Sequence, residues 1–135
     1  MSRNGSVPHT PASTAVSRAT GSTSRAMADA GADVLVPHMG LTAGGSIGSR
    51  SGISLDEAVA RVQACGDAAR AVNPDILCLC HGGPIAEPDD AQYVLERTTG
   101  IVGFFGASSM ERLPTEVAMT ENMKRFKSIA MKERP

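Results

Sequence analysis

Three short apolar runs constrain the fold of this chain more than any other feature. They span residues 34–36, 76–80 and 101–105, and each is followed by a glycine-containing loop and then by a helical pattern. The run at 76–80 is apolar at every position, as is typical of a parallel strand buried on both faces. The repeat predicts an α/β fold with parallel strands, either an open doubly wound sheet or a closed barrel.

Caps and apolar spacing predict the first two helices between these runs. Ser54 and Glu57 form a capping box, in which each side chain satisfies a free backbone amide, and the apolar stripe behind them ends before Pro74. The next helix begins near Pro88, where two aspartates suit the positive end of the helix dipole. A helix is therefore expected after each of the first two runs.

A third helix is predicted to begin at Pro114, after the last apolar run. Its basic end suits the negative end of the helix dipole and is expected to be solvated. The helical spacing is expected to turn four apolar residues toward the core, namely Met119, Met123, Phe126 and Ala130.

Residues 1–24 differ in composition from the rest of the chain. They include ten Ser or Thr and only two large aliphatic residues, too few to bury enough surface to offset the entropy of ordering the segment. We therefore expect a disordered extension over residues 1–24 and a folded domain over residues 25–135. The first helix of that domain would end at Gly31 and have no strand in front of it. The extension superficially resembles a transit peptide, but it lacks an amphipathic apolar face.

Charge and hydropathy exclude two classes of function. The formal net charge is −1, and all fourteen acidic residues lie at or after position 29, so the folded part lacks the basic face that non-specific nucleic-acid binding needs. No apolar stretch approaches the ~20 residues of a membrane span. Three cysteines, an odd number, do not form a disulfide framework and suggest a reducing compartment such as the cytoplasm.

Candidate catalytic residues lie where the predicted strands end, which is where α/β folds place their chemistry. His38 ends the first strand and His81 the second. Both are candidate general acid/base residues or metal ligands, because imidazole titrates near physiological pH, and the alternative is a structural role. Glu111 is the acidic residue nearest this edge after the third strand. It is expected either to act as a base or orient a histidine, or to form a salt bridge with Arg112.

Three loops at the same edge are candidates for anion binding. Glycine lets backbone N–H groups approach a phosphate or carboxylate, and loops after the last two strands of TIM barrels often form a phosphate site. The candidate residues are Gly44, Gly45, Ser46, Gly82, Gly83, Gly106, Ser108 and Ser109. The alternatives are a flexible lid or subunit contact for the first loop and helix capping for the two later serines.

No metal site is predicted within the chain. Cys78 and Cys80 share one side of a strand because side chains alternate with a period of two. Buried free cysteine is common, however, and no second pair of ligands accompanies them.

Four segments carry a family resemblance over roughly residues 25–130. They are residues 38–48, 80–85, 90–98 and 103–116, in this order. They resemble the TIM-barrel family described as phosphoenolpyruvate hydrolase-like, or phosphonopyruvate hydrolase. The same domain is similar to the C-terminal part of a plant protein that inhibits tobamovirus RNA replication.

The resemblance implies the C-terminal part of a (β/α)8 TIM barrel, with about three βα units. It implies an enzyme that hydrolyses or cleaves a small phosphorylated or phosphonate 2-oxo acid. In the related barrels, acidic ligands for a divalent ion lie on earlier strands, so no cofactor is expected within this chain and Mg²⁺ belongs to a complete barrel. The expected partners are a small anionic substrate and further copies of the chain, but no nucleic acid and no membrane.

Two alternatives to an enzyme stay open. One is a non-catalytic barrel module for assembly or macromolecular binding, and the other is a truncated product without independent activity. Three barrel strands leave roughly six to nine inward apolar side chains unpartnered, at about 1.5 to 3 kcal/mol each, so the isolated chain is expected to aggregate, fold partly or oligomerise. Convergence of the two histidines and the glycine loops on one pocket would favour a small-ligand site.

Overall fold

The computed structural model describes residues 12–18, 20–46, 48 and 52–130. In these described residues, strands and helices alternate in sequence. The strands are β1 (Thr14–Arg18), β2 (Val34–His38), β3 (Leu77–Cys80) and β4 (Ile101–Phe104). The helices are α1 (Gly21–Asp29), α2 (Leu55–Arg70), α3 (Pro88–Glu96) and α4 (Arg112–Lys127).

The four strands form one parallel sheet in the order β1-β2-β3-β4. Because crossovers between parallel strands are right-handed, this sequential order puts the connecting helices on one face of the sheet. Consecutive strands of a (β/α)8 barrel are arranged in this way, whereas a doubly wound sheet carries helices on both faces. The α/β prediction is confirmed, and the sheet is consistent with part of a barrel that contributes four βα units in place of about three.

Strand β1 corrects the prediction for the first 24 residues. It pairs with β2 from Thr14 opposite Val34 onward, and α1 begins within the same segment, where the Thr20 side chain accepts a hydrogen bond from the Thr23 amide. The prediction of disorder is therefore wrong for the described residues 12–18 and 20–24, and the folded domain begins before residue 25. Residues 1–11 lie outside the described part of the chain.

The polar composition of this segment does not indicate a strand, because β1 is held mainly by hydrogen bonds. One oxygen of the Asp33 carboxylate accepts from the Ser13 amide at 2.7 Å and from the Ser13 hydroxyl at 3.0 Å. These bonds hold the pKa of Asp33 below its ordinary value. A strand anchored through its backbone needs few large side chains, so apolar content does not reveal it.

Helix α2 follows the sequence prediction closely. The Ser54 hydroxyl caps it by accepting from the Glu57 amide at 3.1 Å, and Val62, Cys65 and Ala69 of its apolar stripe are buried. The reciprocal half of the predicted capping box is absent from the described contacts, because the Glu57 side chain pairs with Arg61.

A reciprocal capping box does occur at α3, which begins at Pro88 as predicted. The Glu87 side chain and the Asp90 side chain each accept from the other residue's backbone amide. Ala91 and Val94 of this helix are buried in the core that the helices form with the sheet.

The core lies between the sheet and its helices. The opposite face, called the open face, is exposed only in part, since Val36 on that face is fully buried. Leu35 and Cys78, which are paired between β2 and β3, belong to the core. On the open face Val16 is 50% exposed and Leu77 is 51% exposed. The expectation that β3 is buried on both faces is therefore wrong, because nothing in the described part of the chain covers its second face.

Helix α4 is the second departure from the sequence prediction. It begins at Arg112, two residues before Pro114, and Leu113 is its buried residue. Its apolar residues after that point do not turn inward, as Met119 is 68%, Met123 60% and Phe126 64% exposed. Periodicity correctly placed these side chains together, but no described element packs on them.

No helix in the described part of the chain is long and apolar enough to cross a membrane.

Candidate functional site

The two predicted histidines meet at the edge where β2 and β3 end. His38 and His81 lie opposite each other in a parallel bridge, and the Met39 amide donates to the His81 carbonyl at 3.0 Å. Their rings contact edge to face, with 4.8 Å between centroids and an angle of 87° between planes. The parallel register thus brings together two residues that are distant in sequence.

Both histidines point away from the helices. Each lies three positions after a core residue of its own segment, His38 after Leu35 and His81 after Cys78. Because side chains alternate along extended backbone, residues three positions apart lie on opposite faces. The imidazole pair therefore lies on the open face of the sheet, which is the inner face of a barrel.

Hydrogen bonds assign opposite tautomers to the two rings. The Gly40 amide donates to Nδ1 of His38 at 3.0 Å, so this nitrogen is unprotonated and the proton of the neutral ring is on Nε2. Nδ1 of His81 lies 2.8 Å from the Phe105 carbonyl oxygen, which only accepts, so Nδ1 carries the proton and Nε2 is free to accept one. One ring thus presents a donor and the other an acceptor.

Burial keeps His81 neutral. His81 is 8% exposed, and the Phe105 ring lies edge to face against its imidazole, with 5.3 Å between ring centroids. Burial lowers the pKa of His81 below its ordinary value of 6.5, the hydrogen bond to the Phe105 carbonyl opposes this, and the nearby His38 lowers it further. The imidazole is therefore in the unprotonated form that a general base requires at neutral pH. Sequence reasoning missed Phe105, whose backbone and ring both hold this histidine.

The turn after His81 packs tightly against the loop after β2. Gly82 and Gly83 have φ of +74° and +60°, and a Cβ at Gly82 would approach the Gly40 carbonyl to 2.6 Å. The Gly83 amide donates to that same carbonyl at 2.7 Å, and the Ala43 amide donates back to the Gly83 carbonyl at 2.9 Å. These contacts explain both glycines structurally. Anion binding by this turn stays a prediction.

The glycine loop after β2 binds a carboxylate of the chain itself. The amide of Ser46 donates to Oε2 of Glu116 at 3.0 Å, and the Ser46 hydroxyl lies 2.9 Å from Oε1. Arg112, one turn earlier on α4, is 3.2 Å from the same Oε2. Hydrogen bonds from Ser46, and then the Arg112 guanidinium, hold the pKa of Glu116 below its ordinary value of 4.5.

This contact requires the two glycines that precede Ser46. Gly44 and Gly45 have φ of +85° and +74°, a region that L side chains rarely adopt. A Cβ at Gly45 would also overlap the Glu116 carboxylate and the Arg112 guanidinium. Sequence analysis identified the loop but not Arg112 and Glu116, whose i,i+4 spacing on a helix was the available signal.

The loop after β4 contributes less to the candidate site. A Cβ at Gly106 would overlap the Met110 side chain. The Ser108 carbonyl accepts from two amides of the first turn of α4, and Ser109 lines an apolar cavity of about 450 Å³ beside α3. Neither serine caps α4 through its side chain among the described contacts, and their anion-binding role stays a prediction.

Glu111 is exposed at the start of α4. In the described part of the chain no ion pair joins it to either histidine, and Arg112 pairs with Glu116 in its place, so the alternative of a Glu111–Arg112 salt bridge is wrong. A catalytic or orienting role for Glu111 stays a prediction.

The candidate residues therefore converge only in part. His38, His81 and the Gly82–Gly83 turn lie together, since a Cβ at Gly82 would lie 3.6 Å from Nδ1 of His38. Gly44, Gly45 and Ser46 line a separate cavity of about 460 Å³ with α4. Neither this cavity nor the cavity of about 450 Å³ beside α3 is lined by His38 or His81.

The cysteines form no metal site in the described structure. Cys65, Cys78 and Cys80 are free and buried, and burial raises the pKa of Cys80 to about 11. No group of three or more His, Cys, Asp or Glu among the described residues could hold a metal ion. These thiols behave as small core residues.

Comparison with known proteins places this sequence in a family. A family model described as phosphoenolpyruvate hydrolase-like matches residues 13–129. Over 106 residues, 78% of this chain, it is 59% identical to the ToMV susceptible protein tm-1(GCR26) of Solanum lycopersicum and 58% identical to the ToMV resistance protein Tm-1(GCR237) of the same plant. The match spans 14% of the length of each tomato protein. By its sequence from β1 to α4, the chain belongs to the phosphoenolpyruvate hydrolase-like family.

Proposed function

We propose that this domain is part of a closed (β/α)8 barrel that hydrolyses or cleaves a small 2-oxo acid bearing a phosphate or phosphonate group. The observation that carries the proposal is the pair of opposed tautomers at His38 and His81. Two rings whose centroids are 4.8 Å apart, one presenting a donor and the other an acceptor, suit general acid–base chemistry on one small molecule. The description of the family supports the substrate class.

The tautomers define the direction of proton transfer for hydrolysis. Nε2 of His81 takes a proton from water as the water oxygen bonds to phosphorus. The bond from phosphorus to the pyruvate part breaks, Nε2–H of neutral His38 donates a hydrogen bond to the leaving enolate oxygen, and the imidazolium formed at His81 gives its proton to the enolate carbon. The products are phosphate and pyruvate, and both rings end in their starting neutral states.

A divalent ion is not assigned to this chain. The described residues include no cluster that could hold a metal ion by itself, so the proposed steps involve only the two histidines. Mg²⁺ bound by other parts of a complete barrel stays within the proposal.

Release of phosphate and pyruvate from phosphoenolpyruvate and phosphonopyruvate tests the proposal. The assay uses this chain and one of the longer tomato relatives, with and without Mg²⁺. Release that saturates with substrate is expected from at least the longer protein. Absence of release from both proteins under every condition would reject the enzymatic function.

A second candidate function is a non-catalytic module that binds a macromolecule or further copies of the chain. It is favoured by the uncovered apolar residues of α4, of which Met119 and Met123 are 68% and 60% exposed. The names of the tomato relatives, which refer to susceptibility and resistance to ToMV, also support a role outside metabolism. Concentration-dependent self-association without turnover would favour this candidate.

A further inference from the structure

We propose that Ser46 and Arg112 form a seat for a phosphate, phosphonate or carboxylate group, and that Glu116 occupies this seat until a ligand displaces it. The inference rests on the proposed function for the class of ligand only. The new element is Glu116 as an internal competitor, which regulates the access of an anionic ligand to the glycine loop.

The contacts of Glu116 are those that an anionic ligand would make. Its two carboxylate oxygens receive a backbone N–H and a hydroxyl from Ser46, at 3.0 Å and 2.9 Å. Arg112 adds a charged donor at 3.2 Å. A backbone amide, a hydroxyl and a guanidinium are the donors that proteins use for phosphate oxygens. In the structure these donors contact a carboxylate of the chain itself.

The backbone conformation is built around this carboxylate. Gly44 and Gly45 both adopt positive φ, and a Cβ at Gly45 would occupy the space of the carboxylate and of the guanidinium. The Arg112 guanidinium also lies 3.4 Å from the Gly44 carbonyl, so the donor is held against the loop as well as against Glu116. Arg112 therefore has a contact with the loop that does not involve the carboxylate.

Glu116 can leave the seat toward solvent. Its side chain is 25% exposed and that of Arg112 is 18% exposed, so the site borders solvent. A tethered carboxylate competes at a high effective concentration, which makes free anions bind weakly while Glu116 is charged. A phosphate group has more charge and one more acceptor oxygen than a carboxylate, so it can replace each contact that Glu116 gives up.

The test is a titration of the full chain with inorganic phosphate at constant ionic strength, followed by the amide resonance of Ser46. The variants are Glu116→Gln and the control Glu57→Gln, which removes the same charge at an exposed residue paired with Arg61 on α2, outside the cavity that Ser46 and Glu116 line. Glu116→Gln is expected to bind phosphate at least about tenfold more tightly than the unmodified chain, because the competing charge is gone. Glu57→Gln is expected to match the unmodified chain, and adding Arg112→Ala to Glu116→Gln is expected to abolish the gain.

An equal gain in both Gln variants, or none in Glu116→Gln, would overturn the proposal. If Glu116→Gln unfolds, the unmodified chain decides the matter, because phosphate must shift the Ser46 amide and the Glu116 carboxyl carbon together. Movement of the Ser46 resonance alone, or of neither, would also overturn it. Turnover assays test the histidines separately, so phosphate exchange without turnover keeps the seat and rejects only the catalytic proposal.

Discussion

The rings of His38 and His81 meet edge to face at 4.8 Å, although 43 positions separate them in the chain. The Gly40 amide makes Nδ1 of His38 an acceptor, and the Phe105 carbonyl makes Nδ1 of His81 a donor. The outward nitrogens of the pair are therefore a donor on His38 and an acceptor on His81. Adjacent parallel strands bring about this arrangement because they end at the same edge of the sheet.

Removing either histidine should impair turnover. In a preparation that releases phosphate from either substrate, His81→Asn is expected to lower kcat by about 10²–10⁴-fold, the usual contribution of a general acid or base. His38→Asn is expected to have a comparable effect, and Arg61→Gln, on the exposed side of α2, to have little. Phosphate release is the measurement. Full activity in both histidine variants would contradict the assignment.

The stability of the fold should decrease as the pH falls below 6.5. Burial lowers the pKa of His81 in the folded state from 6.5, so between these two values the unfolded chain binds a proton that the folded chain does not. The free energy of unfolding is therefore expected to be lost progressively from pH 6.5 downward. Above about pH 5 the carboxylates stay mostly ionised and add little to this slope.

The measurement is chemical denaturation across that range, with His81→Gln as the comparison. The variant lacks the titrating group and is expected to show a flatter dependence. A free energy of unfolding that rises on acidification from pH 6.5, or an unchanged slope in the variant, would contradict the buried neutral imidazole.

Gly45→Ala should release Glu116 from the glycine loop. The added Cβ overlaps the Glu116 carboxylate, and the positive φ costs about 1–2 kcal/mol for a non-glycine residue. With the Ser46 hydrogen bonds gone, the pKa of Glu116 is expected to rise toward its ordinary value of 4.5. Gly31→Ala is a matched control, because φ there is +90° and no atom lies within 4 Å of the added Cβ.

The readout is the titration of the Glu116 carboxyl carbon by NMR in both glycine variants. Both are expected to lose stability, and only Gly45→Ala is expected to shift the Glu116 titration. An identical titration in the two variants would show that the Ser46–Glu116 contact does not depend on Gly45.

The uncovered apolar side of α4 should drive self-association. Met119, Met123 and Phe126 share one side of the helix and are all more than half exposed. Met123→Glu is expected to weaken self-association by at least about tenfold in sedimentation velocity, while Ser128→Glu, on the other side, adds the same charge with little effect. A chain that is monomeric at all concentrations would contradict this expectation.

Local features of the fold were predictable where short-range rules decide them. The cap at Ser54, the start of α3 at Pro88 and the buried stripe of α2 all follow from residues within a few positions of one another. The positions of His38 and His81 at strand ends were predictable for the same reason.

The rest of the fold and of the candidate site depends on contacts between residues that are distant in sequence. Ser46 and Glu116 are 70 positions apart, and neither segment alone indicates the other. Strand β1 is polar and is held by pairing with β2, so its composition resembles that of a disordered segment. Periodicity along α4 shows which residues share a side but not whether anything packs on that side. The tautomer of His81 likewise depends on the carbonyl of Phe105, the residue directly after β4.

Opposite tautomers at His38 and His81 can be observed directly by long-range ¹H–¹⁵N NMR of the histidine-labelled chain at neutral pH. Each ring nitrogen then reports whether it carries a proton. The result expected is a protonated Nδ1 with a free Nε2 on His81, and a protonated Nε2 with a free Nδ1 on His38. Two rings in the same tautomer, or a positively charged His81, would contradict the acid–base pair on which the proposed chemistry depends.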